Sequence, residues 1–210
     1  MSAPKIVLHG FPLSGHSHRA ELMLRLLDIP FEFRLVNLAG GEHRGESFRK
    51  LNPFGLVPVL DDSGAIIADS CAILVYLALR YDPEGQWLPR DALGAAHVQR
   101  WLSVAQGPVF NGPCCARLVT VFGADFDHPR AKAVADALFA TLDAELAGKS
   151  FLVQDRPTIA DIALYSYIAH APEGGVSLEP WTNIGAWLQR IEALPRFSPM
   201  PATKAGLLAA

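Results

Sequence analysis

The 210-residue sequence has no long apolar run and almost no excess charge, and each shortage excludes a class of protein. The longest apolar run, residues 71–79, is far below the ~18 residues that cross a bilayer. The opening MSAPKIVLHG contains no apolar segment of signal-peptide length. A formal net charge of −3 offers no broad basic surface for nucleic acid. We therefore expect a chain that neither enters a membrane nor binds nucleic acid.

Cysteine is also scarce. Adjacent Cys114 and Cys115 could pair only with strained geometry, and Cys71 is left over. Such a set argues against a disulfide scaffold and predicts a reducing compartment, the cytoplasm. Half of the residues are apolar and 19% are charged, so the composition is that of a globular chain with a real core.

The first third of the chain alternates between strand and helix signals. KIVLHG, a short apolar run that ends at Gly10, predicts a buried strand. Residues 17–27 are rich in helix formers and are followed by Asp28 and Pro30, which end the helix. FEFRLVNL, residues 31–38, then alternates between apolar and polar, the pattern of a half-buried strand. The three together predict a strand–helix–strand unit.

Residues 39–82 predict a loop, a hairpin and a helix. AGGEHRGESFRK is interpreted as a polar loop. DDSG is a turn signal between VPVL and AIIA, which is typical of a β-hairpin. DSCAILVYLALRY predicts a helix with Asp69 or Ser70 as its N-cap, and its nearly all-round apolar surface predicts burial on most sides.

Beyond a Pro/Gly-rich linker, DPEGQWLP, the sequence has only helical periodicity. The predicted helices cover about 91–120, about 129–147, 158–171 and 183–194. Gly107-Pro108 and Gly112-Pro113 are expected to bend or break the first of them. Thr158 and Asp161 form a variant of the capping box. We predict an α/β domain over 1–82, a linker over 83–90 and an all-helical domain over 91–210.

The segment FPLSGHSHRAEL, residues 11–22, carries the densest polar chemistry of the chain. Ser17 and His18 could belong to a nucleophile elbow, but Arg19 stands where its second glycine is required. His16 and His18 could bind a metal, but no third ligand follows at a recognised spacing. Two readings remain open: ordinary solvated residues at a helix start, or an anion site formed by Ser14 and the free helix amides.

Three further segments favour a ligand, although each has an ordinary explanation. Val57-Pro58 starts a strand, and a cis bond there would leave the Val57 backbone free to pair with an extended peptide. Asp69 and Ser70 at a helix start suit a ligand with an ammonium and a carboxylate, or are simply caps. His43 and Arg44 lie in a Gly-rich loop, where they would meet a second carboxylate or only solvent.

These segments, in this order, resemble the serine-type (theta-, zeta- or phi-like) cytosolic glutathione transferases of bacterial style, over essentially all 210 residues. The resemblance is carried by FPLSGHSHRAEL, GEHRGESFRKLNPFGLVPVL, IIADSCAILVYLALRY and RPTIADIALYSY. It implies a thioredoxin-like α/β N-terminal domain that binds glutathione and an all-α C-terminal domain. It also implies a homodimer, with glutathione as the co-substrate, no metal, and a small electrophile as the second substrate.

The resemblance also assigns roles to residues. Ser14 matches the serine that stabilises the glutathione thiolate, with Ser17 as a rival one turn further on. The other glutathione contacts that it implies are His43 and Arg44 at the glycyl carboxylate, Val57 and the cis Pro58 at the cysteinyl backbone, and Asp69 and Ser70 at the γ-glutamyl end. Leu56 departs from the polar residue that is common there, and Asp69 from the more usual Glu. No cysteine lies in 14–19, which argues against the cysteine-type classes.

The second-substrate pocket is predicted between the Phe11 turn and the first long helix of the helical domain. Its candidate residues are Phe11, Leu13, His16, Val104, Pro108, Phe110, Asn111, Cys114, Cys115 and Arg117. If they line the pocket, bulky apolar electrophiles are favoured. Two other functions stay open: a glutathione-dependent disulfide reductase or peroxidase, and a glutathione-binding module without turnover.

Overall fold

The computed structural model describes residues 5–203 of the chain. Its first part contains strands β1 (Ile6–Gly10), β2 (Phe31–Leu35), β3 (Val59–Asp62) and β4 (Ala65–Ala68), with helices α1 (Gly15–Leu26), α2 (Glu46–Leu51) and α3 (Ser70–Tyr81). Its second part contains helices α4 (Ala92–Gln106), α5 (Cys115–Phe122), α6 (His128–Leu146), α7 (Ile159–Ala169) and α8 (Thr182–Glu192). The predicted division into an α/β part and a helical part is confirmed.

The four strands form one mixed sheet in the order β2-β1-β3-β4. β1 and β2 run parallel, with Ile6 opposite Phe31, and α1 connects them as the predicted strand–helix–strand unit. β3 runs antiparallel to β1 and to β4, so that the predicted hairpin is present. Successive residues of a strand point to opposite faces. Leu60 accordingly joins the main core, while Val59 joins a small second core with Phe48 of α2.

Glycine–proline pairs interrupt the first long helix where the sequence predicted it. α4 ends at Gln106 with Gly107 as its C-cap, and residues 110–114 form a wider, π-helical turn before α5 begins. Within that turn Gly112 has φ −101° and ψ −105°, which no helix uses. A Cβ on Gly112 would lie 2.9 Å from the backbone nitrogen of Ala135, so the close approach of α6 requires glycine there.

Helix α7 lies at the centre of the molecule. All residues from Ile159 to Ile168 are buried, and the helix contacts α1, α3, α4 and α8. The predicted capping box is present: the Thr158 backbone N–H donates to an Asp161 carboxylate oxygen at 2.8 Å. The other carboxylate oxygen accepts from the Leu152 backbone N–H and from the Trp187 indole. This cap therefore ties α7 to the preceding loop and to α8.

Two sequence predictions about the first part are wrong. The predicted polar loop contains a 3₁₀ turn, Glu42–Arg44, and helix α2, whose single buried side chain, Phe48, gave too weak a periodic signal. Contrary to the prediction, helix α3 has an accessible face within the described part of the chain. Leu79 is 63% exposed, and Ala72, Val75 and Tyr76 are also at least partly accessible.

No helix within residues 5–203 combines the length and the apolarity that a membrane span requires. The three cysteines, Cys71, Cys114 and Cys115, are all buried as free thiols.

Candidate functional site

The sheet register brings three of the predicted segments to one end of the sheet. His9 is paired with Val59, and Val59 is paired with Ala68. The turn after β1, residues 57–58 before β3 and residues 69–70 after β4 consequently emerge together. Two helices, α1 and α3, begin at this end, so the free N–H groups of both face the same region.

Ser14 is the N-cap of α1. Its backbone is extended, with φ −88° and ψ 116°, and its hydroxyl oxygen accepts a long bond of 3.3 Å from the Ser17 backbone N–H. The side chain is partly exposed. Among the described residues, the Ser14 hydroxyl proton has no acceptor, so it is available to a ligand.

Ser17, the rival serine, is committed elsewhere. Its hydroxyl oxygen accepts from the Phe11 backbone N–H at 3.1 Å, and the residue is only 1% exposed. A Cβ added to Gly10 would lie 3.1 Å from the Ser17 side chain. The Ser17 hydroxyl therefore braces the turn between β1 and α1 and does not face open space.

A buried cluster joins the starts of α1 and α3. The Arg19 guanidinium is fully buried, and its Nη1 donates to His16 Nδ1 at 2.9 Å and to Ser70 Oγ at 3.3 Å. Burial, followed by the charge of Arg19, holds the pKa of His16 well below its ordinary value. Because arginine only donates, the His16 proton is on Nε2. His16 is thus a neutral neighbour of Ser70 and a poor general base.

His18 has a structural position. Its Nε2 donates to the Ser198 carbonyl at 2.8 Å, and its Nδ1 lies 2.9 Å from the Ser166 hydroxyl. Burial lowers the pKa of His18, and both ring nitrogens are engaged. Within residues 5–203, no group of three or more His, Cys, Asp or Glu side chains is arranged to hold a metal ion.

Asp69 is the N-cap of α3. One carboxylate oxygen accepts from the Cys71 and Ala72 backbone N–H groups, and the other accepts from Gln106 Nε2 of α4 at 2.7 Å. Its φ of 80° lies in the left-handed region, which is unfavourable for a residue with a Cβ. Ser70 beside it is 2% exposed. Hydrogen bonds from the start of α3 and from Gln106 of α4 hold this carboxylate in place against the backbone strain.

The Val57-Pro58 peptide bond is cis, as the family resemblance implied. Among the described residues, neither the N–H nor the C=O of Val57 has a hydrogen-bond partner, because β3 begins only at Val59. Asn52 supports this loop by donating to the Leu56 carbonyl at 2.8 Å. The Val57 backbone is therefore free to pair with an extended ligand, while the Leu56 side chain is exposed.

His43 and Arg44 lie in the 3₁₀ turn at the rim of a pocket of about 450 Å³. The pocket is also lined by Arg49, Phe54, Gly55 and Leu56. A Cβ on Gly55 would lie 2.8 Å from the His43 carbonyl oxygen, so the loop before the cis proline packs directly on this turn. The pocket has two arginines and no acidic residue in its lining, which suits an anionic group.

The apolar candidates for the second-substrate pocket surround the start of α1. The Phe110 ring lies 6.2 Å from the His16 ring, and both residues are partly buried. Phe11 and Leu13 are also partly buried; on the α4 side Val104 is partly buried, and Pro108 and Asn111 are exposed. The Phe11 ring also lies 6.2 Å from the Phe122 ring at the end of α5. Sequence analysis missed Phe122, because only the tertiary structure brings this residue next to Phe11.

Cys114, Cys115 and Arg117 do not form an accessible wall. Cys114 and Arg117 have no exposed surface, and Cys115 is 4% exposed. Burial raises the pKa of Cys114 to about 12, so its thiol stays protonated. Arg117 donates to the Leu13 carbonyl and to the Glu173 carboxylate. The prediction that these residues line the pocket fails because the π-helical turn directs this segment into the core.

Comparisons with known proteins agree with this arrangement. Residues 13–80 match the N-terminal domain of glutathione S-transferase, and residues 127–195 match its C-terminal domain. Human glutathione S-transferase theta-1 is 30% identical over 177 residues, which cover 79% of this chain and 73% of that protein. Maleylpyruvate isomerase from a Ralstonia species is 34% identical over 189 residues, 85% of this chain and 88% of that protein.

A solved structure shows the same likeness in three dimensions. The glutathione transferase homologue of Drosophila mojavensis, solved with bound glutathione, aligns with a TM-score of 0.83 and 28% identity. The alignment covers 91% of this chain and 89% of that chain. With both domains matched in order, the chain belongs to the glutathione S-transferase family.

Proposed function

We propose that this glutathione transferase activates glutathione with the Ser14 hydroxyl and the N-terminus of α1. The observation that carries the proposal is the contrast between the two serines: Ser14 is accessible and has a free hydroxyl proton, whereas Ser17 is buried and bonded to Phe11. A charged hydrogen bond contributes roughly 1.5–3 kcal/mol and a helix end roughly 0.3–1. Together they lower a thiol pKa of ~8.5 by about 1.5–3 units.

In the proposed reaction, the glutathione sulfur either displaces a leaving group from an electrophilic carbon or adds to that carbon. The glutathione thiol releases its proton to solvent, and the thiolate sulfur forms a bond to an electrophilic carbon. In a displacement, the leaving group departs with the bonding electrons. Ser14 donates its hydrogen bond to the sulfur and forms no covalent bond, so the gain comes from thiolate population and proximity.

Three sites hold the tripeptide in this proposal. His43 and Arg44 face the glycyl carboxylate, and the free Val57 backbone beside cis Pro58 pairs with the cysteinyl residue. Asp69 binds the γ-glutamyl ammonium. The N-terminus of α3 binds the γ-glutamyl carboxylate through the Ser70 N–H, because the Ser70 hydroxyl is buried and already accepts from Arg19. The support is that the sheet register brings residues 57–58 and 69–70 to one end of the sheet, and that Gly55 packs directly on the His43 carbonyl.

The second substrate is a small apolar electrophile. Phe11 and Phe122 form one aromatic side of the proposed pocket, and Phe110 lies across the His16 ring. His16 adds no charge there, because its pKa is held low by burial and by Arg19. We also propose that Leu13, Val104, Pro108 and Asn111 complete the rim.

The enzyme is proposed to be a homodimer. The exposed face of α3 and the neighbouring face of α4 enclose an apolar groove of about 560 Å³, lined by Val75, Leu79 and Leu102 among others. Exposed apolar patches of this kind mark protein interfaces. A cytoplasmic location and the domain limits 1–82, 83–90 and 91–210 stay predictions.

The test is a titration of bound glutathione combined with a substrate panel. Thiolate absorbance of the complex, followed against pH, should show a thiol pKa below ~8.5, and Ser14→Ala should raise it. An aryl halide tests transfer, and hydroxyethyl disulfide and cumene hydroperoxide test the reductase and peroxidase alternatives. Turnover of the aryl halide supports the proposal. Glutathione binding with no thiolate signal and no turnover would favour a binding module.

The likeness to maleylpyruvate isomerase favours one second candidate, glutathione-dependent isomerisation. The same panel should therefore include maleylpyruvate. Isomerisation that depends on glutathione and exceeds turnover of the aryl halide would replace transfer as the main activity, while leaving the role of Ser14 unchanged.

A further inference from the structure

A buried arginine touches the turn that holds Ser14. Arg117 of α5 has no exposed surface, and its Nη1 donates to the Leu13 carbonyl at 2.8 Å. The peptide unit between Leu13 and Ser14 is planar, so a bond that fixes its carbonyl also fixes the Ser14 N–H on the other side. That N–H donates to the Phe11 carbonyl at 2.9 Å. The turn is thus held from both sides of one peptide plane.

Glu173 holds Arg117 in place. The carboxylate lies in the 3₁₀ turn Ala171–Gly174 after α7 and accepts from Arg117 Nε at 2.6 Å. It also accepts from His170 Nδ1 at 2.7 Å. Burial alone would raise the pKa of Glu173, but hydrogen bonds from Thr203, His170 and Arg117 outweigh it and bring the pKa to about 2.

The same carboxylate binds the C-terminal segment. Thr203 donates to it twice, from its backbone N–H at 2.9 Å and from its hydroxyl at 2.6 Å. Upstream of it, Met200 is 2% exposed and the Ser198 carbonyl accepts from His18 of α1. Residues 198–203 are therefore anchored both to α1, the helix that follows Ser14, and to Glu173.

The packing around this pair leaves it little freedom. A Cβ on Gly174 would lie 2.6 Å from the Arg117 backbone nitrogen. The Thr120 hydroxyl donates to the Glu173 carbonyl, and His128 donates to the Gly174 carbonyl at 2.8 Å. Since α5 and the 3₁₀ turn are locked together, a displacement of Glu173 would be transmitted to Arg117 and Leu13.

We propose that Arg117 and Glu173 are positioning residues for Ser14, and that they couple docking of the C-terminal segment at Thr203 to the geometry of the thiolate site. The inference rests on the proposed role of Ser14. Both residues are buried, so they act on the substrate only through Ser14. They set the direction of the Ser14 hydroxyl through the Leu13 peptide.

The test is Arg117→Lys, with Arg190→Lys as its matched control. Lysine keeps the charge opposite Glu173 but lacks the fork that reaches two acceptors at once. Arg190 also donates to two backbone carbonyls, those of Ser150 and Lys149, in a distant part of the helical domain. Both variants are compared by the pKa of bound glutathione, the glutathione Kd and kcat.

The expected result is specific to Arg117. Arg117→Lys should raise the thiol pKa by about 0.5–1 unit and lower kcat about three- to tenfold below that pKa, with the glutathione Kd within about twofold. Arg190→Lys should change none of the three. An unchanged thiol pKa in Arg117→Lys, or an equal shift in Arg190→Lys, overturns the inference.

Thr203→Val keeps the test decisive if Arg117→Lys does not fold. It removes one donor to Glu173 at an accessible position, and a smaller upward shift of the thiol pKa is expected, whereas no shift overturns the inference. Ser14→Ala is measured in parallel. A shift in Ser14→Ala alone refutes only the positioning role, and no shift in Ser14→Ala refutes the proposed function together with it.

Discussion

Helices α1 and α7 both have a hydroxyl residue as N-cap. We call the start of α7 closed, because it is buried and its amides are hydrogen-bonded, and the start of α1 open, because it is accessible at Ser14. Thr158 is the N-cap of α7, and Asp161 at the third helical position accepts from four donors in the core, two of them on Thr158. Ser14 begins α1, and the residue at the third position is Ser17, whose hydroxyl is bonded back to Phe11. The start of α7 is fully buried, whereas that of α1 is accessible at Ser14.

The closed start of α7 contributes to stability, whereas the open start of α1 is suited to binding a ligand. At the start of α7 the first amides are satisfied, because the Ile159 N–H donates to the Trp87 carbonyl at 2.9 Å and the Ala160 N–H donates to the Thr158 hydroxyl at 3.3 Å. At the start of α1 the Gly15 and His16 N–H groups have no partner among the described residues, so they and the Ser14 hydroxyl proton are open to an external anion. The start of α1 packs against the last turns of α7, because a Cβ on Gly15 would lie 2.8 Å from the Tyr167 ring. The closed start thus anchors the helix on which the open start rests.

The largest expected effect is on the closed start. Asp161→Ala leaves the Thr158 and Leu152 N–H groups and the Trp187 indole without their acceptor, and should lower the free energy of unfolding by about 3–5 kcal/mol. Asp127→Ala, at the exposed N-cap of α6, is the control and should cost about 1 kcal/mol. Denaturant unfolding measures both. Equal losses of unfolding free energy in the two variants would show that the buried cap of α7 contributes no more than an exposed cap.

Glu173 lies just after α7 and is linked to Leu13 through Arg117. It should contribute stability that depends on pH. Its folded pKa of about 2 lies below the ordinary 4.5, so the contribution is present above pH 4.5 and is lost as the pH falls towards 2. Glu173→Gln should be less stable than the wild type by about 2 kcal/mol at pH 7. That gap should close between pH 4.5 and 2 in denaturant titrations. A gap independent of pH would contradict the assignment, and exposed Glu179→Gln serves as the neutral control.

At the open start, Ser14→Ala should affect chemistry more than stability. Loss of one charged hydrogen bond should raise the bound thiol pKa by about 1–2 units and lower kcat/KM about 10- to 100-fold. The free energy of unfolding should change by no more than about 1 kcal/mol, since the cap bond to Ser17 is long. Thiolate absorbance and steady-state kinetics check the first part, and thermal unfolding checks the second.

A smaller effect is expected from the charge at the start of α3. Asp69→Asn keeps an acceptor for the Cys71 and Ala72 amides but removes the charge proposed for the γ-glutamyl ammonium. The KM for glutathione should rise about tenfold, with the bound thiol pKa unchanged. Asp91→Asn at the exposed N-cap of α4 should leave KM as it is. An equal rise in both variants would show that Asp69 acts only as a cap.

The smallest effect sharpens the choice between the two serines. Ser17→Ala removes the acceptor of the Phe11 N–H and should cost about 1 kcal/mol of unfolding free energy. The bound thiol pKa should stay within about 0.3 unit of the wild type, well below the shift for Ser14→Ala. A larger shift in Ser17→Ala than in Ser14→Ala would exchange the roles of the two residues.

Local signals accounted for the parts of the fold that short segments decide. The hairpin turn at 61–64, the capping box at Thr158 and the breaks at Gly107 and Gly112 depend on residues within a few positions of each other. Helix α2 was missed because its packing depends on residues that are distant in sequence. Its six residues bury one side chain, Phe48, against Val36 and Val59, which are distant in sequence.

The candidate site was only partly accessible to sequence reasoning. The residue types at 14, 57, 69 and 70 predicted ligand contacts, and the sheet register then showed that these positions lie at one end of the sheet. The interior orientation of Arg117, the buried guanidinium of Arg19 and the contact of Phe11 with Phe122 were not predictable. Each depends on helices that approach one another from opposite parts of the chain.

The sequence by itself determined the order of the strands along the chain, the helices other than α2 and the two caps, because these follow from periodicity and from interactions between near neighbours. Its motifs carried the family resemblance. Only the tertiary structure decided which cap is open. Ser14 and Thr158 are both hydroxyl N-caps whose side chains accept from their own helix. Burial and distant hydrogen-bond partners close the Thr158 start, and leave the Ser14 hydroxyl as the donor that a ligand can reach.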